Sequence, residues 1–590
     1  MDQIQAGGLI TLSPRKEKSE GGSFPRRSLK LLLINPTRAG FDSYCTAPLH
    51  LLYIAQAARD AGHRAEVFDL HYALNKRVNF NWGNLGKAEK AKVEDELIEE
   101  VLIKDFDVLG IGSIVSSYAI AERLVNRVKQ TKQVPIVLGG ALGTTVHQLW
   151  AENTNVDFLV EADGEEVIKE LLNNLEDLAY LRTVPGLYVR ENGQFLVNRP
   201  ELSKSLDGIS FPNWTDIDYP AYMTIQRDWI AATLPRGLKP TENDHVMPIV
   251  ATRGCPYHCT FCYHQMNDWT KSLPASYRKH SVDYLINYIS HLRAKYGATM
   301  LVTWDDLIMT DRKWFMELLE AIIGKQWDMK IFTSGGKANI VTQDMCVKMK
   351  QAGFIRVSYG IESGSPKIVK LMKKGHTVED NRNAINWARD AGLFVHCNMI
   401  AGMPGEDKDT IRETKQFLKD LDLHASNISF AYATAYPGTE LFEIGQKMGL
   451  IPTDSKGLRD YILSIKGVGE YRDNFSDLPK EEIQEFVRTI RYELQMNWLK
   501  NRGMWLRWFK VWIGLKLSSF YYRYVWNTAL DRVLKQYVLT PWARILIRSV
   551  LLQDAEVQRG KEQGAVGGSR GSASGDNPIV GDEAKVSASC

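Results

Sequence analysis

The chain has 590 residues, 44% hydrophobic and 24% charged, with a formal net charge of +3. This is an ordinary globular composition with room for two or three domains, and the small net charge names no partner. Seven cysteines, three in one loop and Cys45, Cys346, Cys397 and Cys590 scattered, exclude a disulfide framework and point to a reducing cytosol. Residues 1–28 contain no apolar signal segment and read as disordered, and no run of 18 apolar residues offers a membrane span.

Residues 29–200 alternate strand-like apolar runs (29–36, 65–70, 107–112, 134–139, 156–160) with helical ones (48–61, 89–104, 118–130, 144–152, 164–175). Five βα units of this kind predict a doubly wound, flavodoxin-like parallel sheet whose ligand sits at the carboxyl ends of the strands. The loops there are polar (35–45), serine-rich (Ser113, Ser116, Ser117) and glycine-rich (Gly139, Gly140). No G-x-G-x-x-G follows the first strand, so a dinucleotide is not favoured. A domain of this fold with no ligand stays open as an alternative. Residues 201–245, rich in Pro, Trp and Asp without periodicity, read as a connector.

At 253–264 stands Arg-Gly-Cys-Pro-Tyr-His-Cys-Thr-Phe-Cys-Tyr-His, which places Cys255, Cys259 and Cys262 in a C-x3-C-x2-C spacing after the strand-like run 247–251. Three thiolates on one short loop suit a soft metal centre, and a [4Fe–4S] cube held by three keeps one iron open for a small molecule. A structural zinc with His258 or His264 as fourth ligand is the alternative. The βα alternation resumes to residue 452, with strands at 300–304, 330–333, 355–360, 394–400 and 428–433. Counting 247–251, six strands predict an open, barrel-like parallel sheet with its chemistry at the strand carboxyl ends. Asp305, Asp306, Glu362, Ser363, Gly402, Pro404 and Gly405 lie there. A helix cap at 305–306 and an ordinary turn at 402–405 are the plainer readings. Cys346 and Cys397 read as core thiols.

Residues 453–552 read as helical. Between 500 and 548 stand ten Lys/Arg and one acid, Asp531, interleaved with Trp, Tyr and Phe. A helical cap with a basic outer side, contact with an anionic membrane surface, and a nucleic-acid face all fit, the last least well. Residues 553–590, Gly/Ser-rich, read as a disordered tail.

These residues carry a family resemblance. Over 246–452 the chain resembles radical S-adenosylmethionine (SAM) enzymes, on the cysteine triplet, Gly360-Ile361-Glu362-Ser363-Gly364 and Gly402-x-Pro404-Gly405-Glu406. Over 29–200 it resembles the cobalamin-binding domain of class B members, on Leu33-Ile34-Asn35-Pro36, Gly139-Gly140 and Asp163-Gly164-Glu165-Glu166. The Asp-x-His-x-x-Gly lower-ligand motif of other B12 proteins is missing, because Asp69-Leu70-His71 is followed by Tyr72, Ala73 and Leu74.

The resemblance implies a [4Fe–4S] cluster on Cys255, Cys259 and Cys262, with SAM chelated to the open iron. It implies Phe261 near the adenine, Asp305 and Asp306 at the SAM amino group, Glu362 and Ser363 at the ribose, and Gly402, Pro404 and Gly405 beside the adenine. For cobalamin it implies Ser113, Ser116, Ser117, Gly139, Gly140 and Glu165. The implied activity is a cobalamin-dependent methyl transfer to an unactivated carbon through a 5′-deoxyadenosyl radical and methylcobalamin. A cobalamin-linked oxidative cyclase or ring-rearranging enzyme is the alternative, and a non-catalytic Fe–S or corrinoid sensor comes behind it. A tRNA methylthiotransferase needs three more N-terminal cysteines, and residues 1–250 hold only Cys45. The implied partners are a small-molecule or lipid-like substrate and an electron donor such as a flavodoxin or ferredoxin. The implied location is the cytoplasm, peripheral to the inner face of the membrane.

Overall fold

Two parallel sheets, one per half of the chain, lie at the centre of a computed structural model that describes residues 27–38, 45–78, 86–265, 277–465 and 467–524. The tail 553–590 and most of 1–28 lie outside the described residues.

The first half runs β1 (Lys30–Asn35), α1 (Leu49–Asp60), β2 (Arg64–Asp69), α2 (Leu70–Arg77), α3 (Lys87–Ile103), β3 (Val108–Gly112), α4 (Tyr118–Thr131) and β4 (Ile136–Gly139). It continues through α5 (Ala141–Thr145), α6 (His147–Asn153), β5 (Phe158–Val160), α7 (Gly164–Asn173), α8 (Leu178–Leu181), β6 (Leu187–Glu191) and β7 (Gln194–Leu196). The strand order is β2-β1-β3-β4-β5-β6-β7, with the first five parallel. Both faces are covered, which is why β1 is apolar throughout: Leu31 and Leu33 enter one core cluster, Leu32 and Ile34 the other. The sheet departs from an all-parallel expectation at one edge, where β6 and β7 are antiparallel. The turn between them is Asn192-Gly193, both at positive φ (48° and 82°), the pairing that a two-residue hairpin favours.

The connector is more ordered than its composition suggests. It holds α9 (Tyr219–Thr233), with Pro220 in the first turn, where its missing N–H costs nothing. Tyr222 Oη donates to Asp69 in the first half, and Trp214 Nε1 donates to Tyr288 Oη in the second at 3.3 Å. The segment is therefore tied to both sheets.

The second half runs β8 (Val246–Ile249), β9 (Thr252–Arg253), β10 (Arg278–Lys279), α10 (Val282–Tyr296), β11 (Met300–Thr303), α11 (Arg312–Gly324), β12 (Lys330–Gly336) and α12 (Gln343–Gln351). Then come β13 (Phe354–Glu362), α13 (Pro366–Leu371), α14 (Val378–Asp390), β14 (Phe394–Ala401), α15 (Lys408–Asp420) and β15 (Ile428–Tyr432). Six parallel strands stand in the order β15-β14-β13-β12-β11-β8, an open barrel-like sheet. Pro248 sits in β8, at the sheet edge, where a missing N–H breaks no ladder. Strands β9 and β10 pair antiparallel and bracket the segment that carries the cysteine loop.

Four more helices, α16 (Glu440–Lys447), α17 (Ser455–Ser464), α18 (Lys480–Asn501) and α19 (Trp505–Tyr524), complete the described chain. α17 returns to the first half, where Arg459 grips Glu122 of α4 at 2.6 and 3.1 Å. α18 lies on α15 through Lys415 and Lys419, which share Glu493 at 2.7 and 2.9 Å. α19 packs back on α18 through Trp498, Leu499, Val511 and Trp508. The basic aromatic stretch expected over 500–548 is described only as far as 524.

Candidate active site

The cysteine loop leaves β9 at Gly254, whose positive φ of 83° suits a residue without Cβ. Cys259 is buried, Cys255 and Cys262 are half-buried, and none of the three is held in a disulfide. The loop is fastened on two sides: Thr260 N–H donates to Met372 O at the end of α13 (3.1 Å), and Leu441 N–H of α16 donates to Thr260 O (2.9 Å). Burial pushes the Cys255 thiol up to about 11 and the Cys262 thiol up to about 12. At neutral pH the metal-free loop holds thiols, and a metal centre must displace their protons as it binds.

Two buried ammonium groups line the loop. Lys337 Nζ lies 3.4 Å from the ring centroid of Tyr257 and donates to the carbonyl of Lys374; burial brings Lys337 down to about 8. Lys374 Nζ pairs with Glu362 Oε1 at 3.1 Å and lies 5.8 Å from the ring of Phe261. Burial opposes the charge on Lys374, and Glu362 together with Cys259 and Cys262 outweighs it, so the ammonium sits above its usual range. Cations here suit an anionic cluster with a carboxylate-bearing ligand.

The all-sulfur donor set fits an iron–sulfur cluster. A zinc knuckle fits less well. His264 Nε2 lies 2.7 Å from Asp306 Oδ1 and His258 is exposed. Among the described residues no three His, Cys, Asp or Glu side chains close around one metal-ion position, as a single zinc requires.

The strand-end residues divide into several duties. Asp305 is buried and accepts from Ala251 N (2.8 Å), Thr252 N (2.5 Å) and Thr252 Oγ1 (2.7 Å), which stitches the end of β11 to the root of the cysteine loop. Burial raises its carboxyl to about 7, and its Oδ2 has no hydrogen-bond partner among the described residues. Asp306 faces the loop itself and accepts from Tyr263 Oη at 2.7 Å as well as meeting His264. Neither is the helix cap of α11; Asp311 is, accepting from Trp314 N.

Glu362 stands at φ 63°, a left-handed conformation that a non-glycine residue holds at a cost of order 1–3 kcal/mol, with its carboxylate turned to Lys374. Ser363 Oγ is buried and bonded to Thr414 Oγ1 of α15 at 3.1 Å. Gly402 and Gly405 both need positive φ (88° and 78°), and Gly402 N–H donates to the buried Glu406 Oε2 at 2.5 Å. A Cβ on Gly402 would lie 2.7 Å from Tyr471 Cε2. Pro404 is half-buried between them.

Sequence reasoning missed Lys337, Lys374, Tyr471 and the Ser334-Gly335-Gly336 end of β12. That last stretch carried a signal. A Cβ on Gly335 would fall 2.4 Å from Asp305 O and 2.6 Å from Asp306 O, so only glycine lets β12 close on that turn.

At the carboxyl edge of the first sheet, Ser113 Oγ and Ser116 Oγ are buried without hydrogen-bond partners among the described residues. Ser117 Oγ is used locally, bonding Ile114 N (3.0 Å) and Ile114 O (2.9 Å). Gly140 has φ 93°, and a Cβ there would meet Ser113 O at 2.4 Å, whereas one on Gly139 would meet nothing. Two orphaned hydroxyls beside an open glycine fit a polar ligand laid on this edge. Glu165 is spent elsewhere: both its oxygens are held by Arg253, at 3.0 and 2.5 Å. Asp163 meets Arg253 at 2.9 Å and Arg278.

The Radical SAM superfamily model matches residues 249–418, and the B12 binding domain model matches residues 42–172. The chain is a radical SAM enzyme with a B12-binding domain. Domains of these kinds work with SAM, a [4Fe–4S] cluster and cobalamin.

Relatives of this radical SAM enzyme include an uncharacterized methyltransferase of Pyrococcus horikoshii, 27% identical over 430 residues (72% of this chain, 84% of that protein). The cytidylyl-2-hydroxyethylphosphonate methyltransferase of Streptomyces wedmorensis is 25% identical over 521 residues (81% and 94%). The anaerobic magnesium-protoporphyrin IX monomethyl ester cyclase of Rubrivivax gelatinosus is 25% identical over 364 residues (60% and 61%). Among solved structures, the cobalamin-dependent SAM radical enzyme OxsB with aqua-cobalamin bound superposes with TM-score 0.62 at 16% identity (91% of this chain, 81% of that one). The radical SAM methyltransferase TsrM from Kitasatospora setae gives TM-score 0.55 at 17% identity (71% and 78%). These two likenesses extend the shared fold across both domains.

Proposed function

We propose that this radical SAM enzyme transfers a methyl group from SAM to an unactivated carbon of a small or lipid-like substrate, with cobalamin as the methyl carrier. The observation that carries this reading is the joint between the two sites. Arg253, two residues before Cys255, is ion-paired to Asp163 and Glu165 at the start of α7 in the B12-binding domain. The cysteine loop is thereby clamped against the carboxyl edge that carries Ser113, Ser116 and Gly139, so both cofactors would meet there.

In this reading Cys255, Cys259 and Cys262 hold the cluster, which supplies the electron that cleaves the sulfonium. Lys337 and Lys374 receive the methionyl carboxylate, Asp305 and Asp306 fix the loop and face the amino group, and Glu362 meets the ribose. Phe261 and the turn of Gly402, Pro404 and Gly405 border the adenine. Ser113, Ser116, Gly139 and Gly140 cradle the corrinoid. Each turnover consumes two SAM molecules and two electrons from a flavodoxin or ferredoxin. One SAM gives its methyl and leaves as S-adenosylhomocysteine; the other leaves as methionine and 5′-deoxyadenosine, carrying the hydrogen taken from the substrate. The methyltransferase names of the first two relatives support this chemistry. The cyclase relative keeps a second reading in play, in which hydrogen removal is followed by ring closure.

α19 supports a site of work at a membrane surface. Trp505, Leu506, Phe509, Trp512, Ile513 and Leu517 are exposed on it, beside Arg507, Lys510 and Lys516, and no acid occurs from 502 to 524. Such a face complements an anionic bilayer. No helix among the described residues is long and apolar enough to cross one.

Anaerobic reconstitution with iron, sulfide, hydroxocobalamin, SAM and a strong reductant tests the reaction class. Methyl transfer expects S-adenosylhomocysteine and 5′-deoxyadenosine together. 5′-Deoxyadenosine alone with corrinoid retained would replace it with the cyclase reading, and no retained corrinoid would overturn the carrier role.

A further inference from the structure

The two faces of the second sheet are covered differently. Leu301, Ile331, Val357, Val395 and Cys397 turn outward and are buried under α10, α11, α14 and α15. On the inner face, Ile230 and Leu234 of α9 pack on Val246, Met300, Val302 and Phe332, which closes the amino ends of the strands. Further along, His396, Asn398, Ile400 and Ser429 turn inward and are half-buried, whereas their outward neighbours Val395, Cys397 and Met399 are at most 1% exposed. The inner face therefore stays accessible between α9 and the strand ends, where a barrel enzyme takes its substrate.

Arg356, the third residue of β13, stands at the foot of that space and is 5% exposed. Its Nε donates to Ser358 Oγ at 3.2 Å, its Nη1 donates to Thr233 Oγ1 of α9 at 2.9 Å, and its Cζ lies 4.5 Å from the ring centroid of Phe332. The bond to Ser358 leans the side chain towards the carboxyl ends of the strands. Among the described residues Nη2 makes no hydrogen bond, and no carboxylate meets the guanidinium. The one acid of β13, Glu362, is turned to Lys374. Burial accordingly draws Arg356 down to about 10, with no acid to oppose it. Arg253 and Arg278 differ, because Asp163 accepts from both. The residues around Arg356 are neutral. Ser358 pairs across the sheet with His396, whose Nε2 lies 3.0 Å from Ser429 Oγ, and Ser429 Oγ donates to Asn398 Oδ1 at 3.0 Å. A buried cation is costly without a counter-charge, and this one has none from the chain.

We propose that Arg356 receives an anionic group of the substrate, a carboxylate, phosphate or phosphonate, with the Ser358 hydroxyl beside it. This rests on the reading above that a small or lipid-like substrate is the methyl acceptor, and it adds that the substrate is acidic at one end. Both N–H groups of Nη2 and the second of Nη1 remain to be satisfied, and a planar guanidinium offers such donors in a fork that matches two oxygens of an oxyanion. Ser358 precedes Glu362 by four residues, roughly 13 Å at the ordinary rise of a strand. A substrate seated on Arg356 would span about that length to present a carbon at the strand ends.

The test is calorimetric titration of the full-length protein with six-carbon probes that differ at the head: hexylphosphonate, hexanoate, hexanol and hexyltrimethylammonium. Both anions should bind the parent about tenfold more tightly than the neutral and cationic probes. Arg356→Gln and Arg356→Met should lose that preference and keep the affinity for hexanol, and Arg356→Lys should retain part of it. Since no partner charge is left stranded, Arg356→Met should also keep the urea midpoint of the parent. A guanidinium that merely braces α9 on β13 gives the opposite pattern, a lowered midpoint with anion affinity unchanged in the variants, and that result would overturn the proposal. So would a parent with no preference for the anions. Inorganic phosphate that binds as tightly as hexylphosphonate, and is lost in Arg356→Gln, would make this a seat for a free ion and overturn it too. The titration needs no turnover, so the two readings fail separately. Anion preference without S-adenosylhomocysteine in the reconstituted reaction would remove methyl transfer and leave Arg356 its ligand; S-adenosylhomocysteine without anion preference would do the reverse.

Discussion

Arg253 holds both carboxylate oxygens of Glu165 in a two-pronged grip, at 3.0 and 2.5 Å, across the boundary between the two domains. The side chains are 19% and 8% exposed, so this is a largely buried pair, and Asp163 and Arg278 complete a four-residue cluster. Burial disfavours the charge on Arg253, and Glu165 and Asp163 together more than restore it. Removing one partner of a buried pair leaves the other charge stranded, at a cost of about 3–5 kcal/mol. Arg253→Met should lower unfolding stability by that order and reduce the iron bound per chain, because the residue roots the cysteine loop. Arg253→Lys keeps the charge and loses the fork, and should recover only part of both. Equal iron content and equal urea midpoints in Arg253→Met and the parent would contradict the role.

Glu406 makes a pH-dependent contribution. Burial raises its carboxyl to about 7 from the usual 4.5, despite the bond from Gly402 N–H. The folded state holds this proton more tightly than the unfolded chain, so the contribution to stability is complete below about 4.5 and is lost as the pH rises to 7. Glu406→Gln should remove that dependence. The stability of the parent relative to the variant should fall by an order of 3 kcal/mol between those limits in chemical unfolding. A difference that is flat with pH would count against it.

Gly402 tests the tight turn at the end of β14. Its φ of 88° resists any L side chain, and the added methyl of Gly402→Ala would reach within 2.7 Å of Tyr471 Cε2 and 3.0 Å of its hydroxyl. Tyr471 is stacked on Tyr432 at 4.7 Å and has little room to retreat. The expected loss is about 1–3 kcal/mol, with weakened SAM binding by calorimetry if the turn borders the adenine as proposed. An unchanged midpoint together with unchanged SAM affinity would show the turn to be tolerant.

The outer face of α19 predicts membrane association. Vesicles of mixed phosphatidylcholine and phosphatidylglycerol should sediment the full-length protein, and pure phosphatidylcholine vesicles should do so several-fold less. Adding salt should release it. Trp505→Ser with Phe509→Ser, both on the exposed side, should weaken binding without changing stability. Equal sedimentation with neutral and anionic vesicles would dismiss the charge argument.

The fold was legible because the first sheet is buried on both faces, which writes its strands as continuous apolar runs, and because strand-like runs alternate regularly with helical ones in the second. The β6–β7 hairpin was missed although Asn192-Gly193 announced it, because the reading ended its βα units at the helix of 164–175 and assigned no element to the stretch that follows. At the site, the cysteines and strand-end glycines were legible because their chemistry or backbone conformation admits few substitutes. Lys337 and Lys374 were not. A lysine looks the same in sequence on a surface or under a ring, and only the fold brings both under the cysteine loop. Glu165 shows the opposite case: it marks the start of α7 correctly, yet its carboxylate is claimed by Arg253, 88 residues further on.

That separation has a consequence for how the protein is made. Asp163 and Glu165 are synthesised well before Arg253 and Arg278, and the sheet that displays them, β1 to β7, is complete by residue 196. A ribosome delivering β9 therefore presents Arg253 to a waiting acidic pair while β11 to β15 are still untranslated. The cysteine loop can be moored before the sheet that will enclose it exists. Its three thiols are thus kept beside a folded neighbour during the interval when an unattached cysteine triplet is most open to oxidation.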